Sequence, residues 1–171
     1  MTIEIKRRWW HSLLRSYGAT RVGTRINRTL LLRLDRLVIQ LSGGRATATA
    51  WVAGLPMIML TTTGAKSGKA RTTPLIGIPD GRKIIVIASN WGQKKHPAWY
   101  INLRAHPEAE VTVKGETRPY MAREATPKER ERYWRRAVQL YPGYASYKEW
   151  CGDRVIPIMV LSPSQEARKA E

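Results

Sequence analysis

The sequence predicts a mainly β, α+β domain: an antiparallel sheet or small barrel with flanking helices and a helical N-terminal extension. Three observations predict it. Short apolar or alternating runs are separated by tight-turn dipeptides at Asp80-Gly81 and Gly115-Glu116, which is hairpin connectivity. Helical patterns interrupt these hairpins instead of following every strand, which argues against a doubly wound sheet. Residues 1–45 carry ten Lys or Arg against two acids, Glu4 and Asp35, and so differ in composition from the rest of the chain.

In that extension Leu30, Leu31, Leu34, Leu37, Val38 and Leu41 recur at three- and four-residue steps, the period of an amphipathic helix, and Ser42-Gly43-Gly44 stops it. Trp9, Trp10, Leu13 and Leu14 form a shorter apolar patch. Three readings stand: helices packed on the main domain with a solvated basic face, a basic arm in peripheral contact with anionic lipid, or, with least weight, an arm on nucleic acid. Met57 to Thr63 reads as a strand ending at Gly64. Arg71 to Pro79 reads as a second, turning at Asp80-Gly81 into a third from Lys83 to Ser89. Pro97 to Ala105 reads as a helix that ends at His106-Pro107. Ala109 to Lys114 and Thr117 to Glu124 make the second hairpin. Thr126-Pro127-Lys128-Glu129 is a helix start with a capping box, running to about Leu140. Tyr144 to Trp150 reads as a short helix and Val155 to Leu161 as the last strand. The expected organisation is an arm over 1–45, a sheet domain over 46–163 and a polar tail over 164–171.

Composition excludes several function classes. Thirty Lys and Arg against thirteen Asp and Glu give the 171-residue chain a net charge of +17, so an anionic partner is expected. One cysteine, Cys151, rules out an internal disulfide framework and suits a reducing cytoplasm. No apolar run is long and uncharged enough to span a bilayer, and the start lacks the features of a cleaved leader. His11, His96, His106 and Cys151 show no metal-ligand spacing. The basic residues are scattered, without a helix-turn-helix, zinc-finger or RRM signature, so no nucleic acid is expected.

Three stretches carry residues suited to chemistry. The turn from Thr61 to Pro74 places Lys66, Lys69 and Arg71 within six residues beside Gly64 and Gly68. Glycines let backbone N–H groups approach an anion, and Arg offers a planar fork for phosphate. It is not a P-loop, because the spacing is absent and no helix follows. From Ala88 to Leu103 a strand ends in small polar residues and a basic loop, Lys94-Lys95, leads into a helix N-terminus that favours anions. In Tyr141-Pro142-Gly143-Tyr144-Ala145-Ser146-Tyr147, Tyr144 and Tyr147 share a helix face, as core packing or as the wall of an aromatic pocket.

These stretches, T-T-G-x-K-S-G-x-x-R-x-x-P-L, A-S-N-W-G-x-x-K-H-P-x-W-Y-x-N-L, Y-P-x-Y-x-x-Y and R-x-I-P-I-x-V, succeed one another between Pro56 and Leu161 as they do in the deazaflavin-dependent nitroreductases, the F420-dependent quinone and nitro reductases. The resemblance implies a split β-barrel of the flavin-reductase type and an oxidoreductase that passes a hydride from reduced coenzyme F420 to a quinone, enone or nitroaromatic. F420 carries a phosphate and an oligoglutamate tail, which gives the positive charge a use. By position, the resemblance makes Lys66 and Arg71 contacts of phosphate and tail, Ser67 and Gly68 backbone donors, and Pro74 and Ala88 parts of the deazaflavin groove. It makes Ser89 the serine near the reacting face, Trp99 and Asn102 cofactor-side residues, and Tyr141, Tyr144 and Tyr147 the border of the substrate pocket. Tyr144, Tyr147 and Ser89 are the catalytic candidates. A well-characterised member has a phosphate-binding lysine where this chain has Asn90, a charge that Lys94 and Lys95 would replace in part. It also has a methionine where this chain has Ala98. FMN in the same groove, or cofactor binding without catalysis, are the alternatives, with a basic nucleic-acid-binding protein the more distant one.

Overall fold

The computed structural model describes residues 54–164; the basic arm and the last seven residues lie outside the described part. The elements in order are β1 (Met57–Thr63), β2 (Ala70–Ile76), β3 (Ile78–Asp80), β4 (Lys83–Ile87), a 3-10 turn at Asn90–Gly92, α1 (Ala98–Ala105), β5 (Glu108–Val113), β6 (Glu116–Glu124), α2 (Pro127–Leu140), α3 (Gly143–Trp150) and β7 (Ile158–Pro163). All strand pairs are antiparallel, in the order β2-β1-β5-β6-β7-β4-β3.

The two edge strands, β2 and β3, are consecutive in the chain. The run from Arg71 to Pro79 expected as one strand is instead broken at Gly77: its first half pairs with β1 and its second with β4. The sheet therefore curls until its two ends are joined through one residue, which makes the split barrel. Gly77 is required at that joint. A Cβ there would lie 2.6 Å from Ile58 Cγ2 and 3.0 Å from Ile84 Cγ2, and its N–H donates to Pro56 O at 2.8 Å.

The barrel interior arises from period-two alternation. Ile58 and Leu60 of β1, Ile84 and Val86 of β4, Ala109, Val111 and Val113 of β5, and Met159 and Leu161 of β7 point inward, and Trp99, Tyr100 and Leu103 of α1 plug one end. Strands β4 and β7 are buried on both faces. Their outer residues Ile85, Ile87, Ile158 and Val160 pack under Tyr133, Ala137 and Leu140 of α2 and the tyrosines of α3, which explains the uninterrupted run Ile84-Ile85-Val86-Ile87.

Local signals place most boundaries. Thr126 caps α2 with the reciprocal box to Glu129, and Pro127 fills the first turn, as expected. Helix α1 is capped by Pro97 and ends at His106. Both hairpin turns sit one residue from the expected dipeptides. Lys114 and Gly115 are both left-handed between Val113 and Glu116, a two-residue turn that needs positive φ twice. The first turn is Gly81-Arg82, with Gly81 left-handed between paired Asp80 and Lys83. Strand β7 starts at Ile158, not Val155, which is exposed, and runs on through Ser162 and Pro163 paired with β6. Asp80 ties the β3–β4 turn to α2 through Arg132, Arg136 and the Tyr133 hydroxyl at 2.6–2.8 Å. Among the described residues no helix is long and apolar enough to cross a membrane.

Candidate functional site

Strands β1, β4 and β6 run in one direction, against β2, β5 and β7. The β1–β2 loop and the segment after β4 therefore emerge at the same barrel end, the end closed by α1. Two basic loops far apart in sequence are thereby brought to one rim.

The first loop, residues 64–69, is tight and held from inside. Gly64 N–H donates to Lys69 O at 2.9 Å, and Gly68, left-handed at φ +64°, donates to Gly64 O at 2.8 Å. A Cβ on Gly64 would stand 2.6 Å from Ser67 Oγ. Asn102 of α1 is the anchor. Its Oδ1 accepts from Ala65 N–H at 3.0 Å and its Nδ2 donates to the buried Thr62 Oγ1 at 3.0 Å. Lys66, Lys69 and Arg71 are exposed and have no carboxylate partner among the described residues.

This geometry bears on two of the expected residues. The Gly68 N–H is spent inside the loop, so the amides left without a partner there, among the described residues, are those of Lys66 and Ser67. Ser67 Oγ accepts from Lys69 N–H at 3.4 Å. Asn102 has one bond at each end of its amide within the protein, so it holds the cation loop in place.

The second loop, residues 88–96, contains three successive left-handed residues, Asn90 (φ 49°), Trp91 (φ 57°) and Gly92 (φ 73°). Asn90 Nδ2 donates to Lys95 O at 2.8 Å, so this amide braces the loop. Gly92 has no room for a side chain: a Cβ would lie 3.1 Å from Trp150 Cβ and 3.2 Å from Tyr147 Cα. Ala88 is fully buried among the barrel-interior residues and Trp99 nearly so, which places both behind any groove wall. Ser89 is buried, yet its hydroxyl has no hydrogen-bond partner among the described residues. Lys94, Lys95 and Ala98 are exposed. Pro74 is half-buried on edge strand β2 opposite Met59, where an absent N–H is tolerated.

The three tyrosines are buried and packed ring on ring. Tyr141, Tyr144 and Tyr147 lie 5.5–6.2 Å apart between centroids, with Trp91, Trp134 and Trp150 around them. Tyr141 folds back over Gly143, where a Cβ would come against its ring. Tyr141 and Tyr147 share a hydrogen bond at 3.1 Å. Tyr144 Oη has no partner among the described residues. Burial, with the neighbouring Tyr147, pushes the Tyr141 and Tyr144 phenols well above their ordinary range, so both stay protonated and keep an O–H able to donate. Trp91 and Gly92 connect this cluster to the second basic loop; among the described residues no hydrogen bond or ring contact connects it to loop 64–69.

Sequence reasoning assigned no role to Arg154. It donates to the carbonyls of Ala88, Ser89 and Gln93 and lies 3.3 Å from His96 Nδ1. His96 is held below its ordinary pKa by burial first and by the Arg154 charge second, so it is neutral near pH 7. A separate groove of about 440 Å³ lies between the start of α2 and the loop after α3, lined by Arg130, Trp134, Lys148 and Val155 among others. No group of His, Cys, Asp and Glu able to hold a metal is present among the described residues.

The sequence model of the F420H(2)-dependent quinone reductase family matches residues 31–163. Rv3178 of Mycobacterium tuberculosis, named as an F420H(2)-dependent quinone reductase, is 37% identical over 109 residues, covering 64% of this chain and 91% of that protein. The F420H(2)-dependent quinone reductase Rv1261c of the same species is 43% identical over 58 residues, 34% of this chain and 39% of its own length. Among solved structures, an F420-H2 dependent reductase superposes with a TM-score of 0.58 at 42% identity, over 63% of this chain and 94% of that one. A protein described as a domain-swapped dimer superposes at 0.61 with 35% identity, over 81% and 98%.

Proposed function

The chain belongs to the F420H(2)-dependent quinone reductase family, and from that premise we propose that it uses reduced coenzyme F420 to reduce a planar, electron-poor acceptor such as a quinone or nitroaromatic. The observation that carries this to the chain's own residues is the pairing of two cationic loops at one barrel end. Their lysines and arginine have no carboxylate partners among the described residues, although the chain neutralises Arg123, Arg132 and Arg136 elsewhere. Such a set fits a cofactor that carries a phosphate and several carboxylates.

Lys66 and Arg71 would hold the phosphate and tail, with Lys69, Lys94 and Lys95 adding charge and the Lys66 and Ser67 amides donating N–H groups. The chemistry supplied by the bound cofactor is hydride donation to the acceptor. The chain's part is position and charge stabilisation. Ser89 Oγ and Tyr144 Oη are hydroxyls without internal partners among the described residues, and each is suited to donate a hydrogen bond to the acceptor oxygen as it gains negative charge. Because burial keeps the Tyr144 proton in place, its role is that of donor and not of phenolate base.

The test is a fluorescence titration with F420, with FMN as the competing ligand, followed by steady-state oxidation of reduced F420 with a menadione-type quinone. Saturable F420 binding and turnover are expected. Removing both charges with Lys66→Ala and Arg71→Ala should weaken binding, and by more at low salt than at high salt. Binding of FMN alone, or equal F420 affinity in the double variant, contradicts the assignment.

A further inference from the structure

Arg154 enters the sequence only as the first residue of R-x-I-P-I-x-V. In the structure it is the fastening of the second basic loop. Nε donates to Gln93 O at 2.9 Å, Nη1 to Ala88 O at 3.1 Å, and Nη2 to Ser89 O at 2.6 Å, while Nη1 also faces His96 Nδ1 at 3.3 Å. One planar fork thus touches the start, the middle and the end of residues 88–96. Other ties hold the loop from outside: Ala88 N–H donates to Pro157 O at 2.9 Å, and Trp91 and Gly92 pack against Tyr147 and Trp150 of α3. The loop's internal bonds run from Gly92 N–H to Ser89 O, from Gln93 N–H to Asn90 O and from Asn90 Nδ2 to Lys95 O. Two of its three successive left-handed residues, Asn90 and Trp91, carry side chains, a conformation that persists only when surrounding contacts impose it. Among the described residues no carboxylate pairs with Arg154; its partners are carbonyl oxygens and a ring nitrogen. A lysine could not replace it, because an ammonium is a point donor and cannot span oxygens of three residues at once.

We propose that Arg154 is a positioning residue of the reductase site: it sets the backbone of residues 88–96 so that Ser89, Lys94 and Lys95 present to the cofactor, and it fixes His96 with Nδ1 as acceptor and the proton on Nε2. The proposal rests on the reading that this barrel end holds F420. The groups around His96 are Arg154, Arg104, Glu124 and the Tyr100 ring, whose centroid is 5.0 Å away. Of these, Arg154 and Arg104 disfavour the imidazolium and Glu124 favours it.

Three measurements test it. In the wild-type protein without cofactor, nitrogen NMR of the histidine side chains should show neutral His96 protonated at Nε2. In Arg154→Lys, hydrogen exchange should rise across residues 88–96 and stay unchanged across 64–69. In the same variant the KM for reduced F420 should rise about tenfold or more while kcat changes less, as expected when a site is loosened without loss of a reacting group. Arg154→Met should in addition raise the His96 pKa; if that variant does not fold, the wild-type tautomer and Arg154→Lys still decide. A wild-type His96 protonated at Nδ1, or an Arg154→Lys protein with wild-type exchange and KM, overturns the proposal. Failure of the wild-type protein to bind F420 overturns the functional reading instead, since tautomer and exchange are read without cofactor.

Discussion

Replacing Asn102 with Ala isolates what holds the first basic loop to the barrel. The substitution removes two hydrogen bonds of 3.0 Å each, to Ala65 N–H and to Thr62 Oγ1. Each is worth about 1 kcal/mol net, so about 2 kcal/mol of stability should be lost. Thr62 Oγ1, although buried, keeps its bond to Arg71 O at 3.4 Å, and the half-buried Ala65 N–H can turn to water, so the loss should not greatly exceed that figure. No cation is removed. Affinity for F420 should nevertheless fall, because Lys66 and the free amides of the loop lose their fixed position. Urea unfolding reads the first effect and F420 titration the second. Asn102→Asp keeps the acceptor for Ala65 but buries a carboxylate against Thr62 Oγ1 and sets a negative charge beneath the cation loop, so it should bind F420 no better than Asn102→Ala. An Asn102→Ala protein with the wild-type urea midpoint and wild-type F420 affinity would refute the reasoning.

Gly77→Ala should lower the melting temperature, at a cost of about 1–3 kcal/mol, because the new methyl meets two isoleucines that are themselves fully enclosed in the barrel; thermal unfolding checks it, and an unchanged melting point would contradict the account of barrel closure. Glu129 is depressed to about 2 by its bond to Arg123 first and by the Thr126 backbone N–H second. Its contribution is therefore complete above pH 4.5 and lost as pH falls from there towards about 2, so Glu129→Gln should flatten that limb of a stability-against-pH curve by about 1 kcal/mol, solvent screening keeping the figure small. Tyr144→Phe should lower turnover with a quinone and leave F420 affinity unchanged; unaltered turnover would remove the hydroxyl from the reaction.

How much of the fold and the site was legible in the sequence depended on how local each cause is. The α2 start was legible because Thr126, Pro127 and Glu129 satisfy one another within four residues. The hairpins were legible, but their turns were misplaced by one residue, since Gly115 pairs its left-handed conformation with Lys114 and not with Glu116. The break at Gly77 was not legible: Thr73-Pro74-Leu75-Ile76-Gly77-Ile78 reads as a single strand, and the reason to bend is set by Ile58 and Ile84, which meet Gly77 only in the folded barrel. The same division runs through the site. Exposed cations in a glycine-bearing turn could be read from spacing. The inward turn of the Gly68 amide, the engagement of Asn102 and the reach of Arg154 across more than fifty residues to the second loop could not, because each depends on what the fold brings alongside.

That division bears on how a chain of charge +17 distributes its work. On α2 and β6 the cations in ion pairs are arginines: Arg118 with Glu116, Arg123 with Glu129, Arg132 and Arg136 with Asp80, and Arg135 with Glu131. Most of them join elements, and planar forks suit that purpose. At the barrel end the cations without carboxylate partners, among the described residues, are chiefly lysines, Lys66, Lys69, Lys94 and Lys95. They sit on loops whose shape is fixed without a carboxylate, by Asn102 under one and by the partly buried Arg154 under the other. An ion pair within either loop would have steadied it but cancelled its charge. Holding each loop through carbonyls, an amide and a hydroxyl steadies the backbone and leaves the positive charge available to an anionic cofactor.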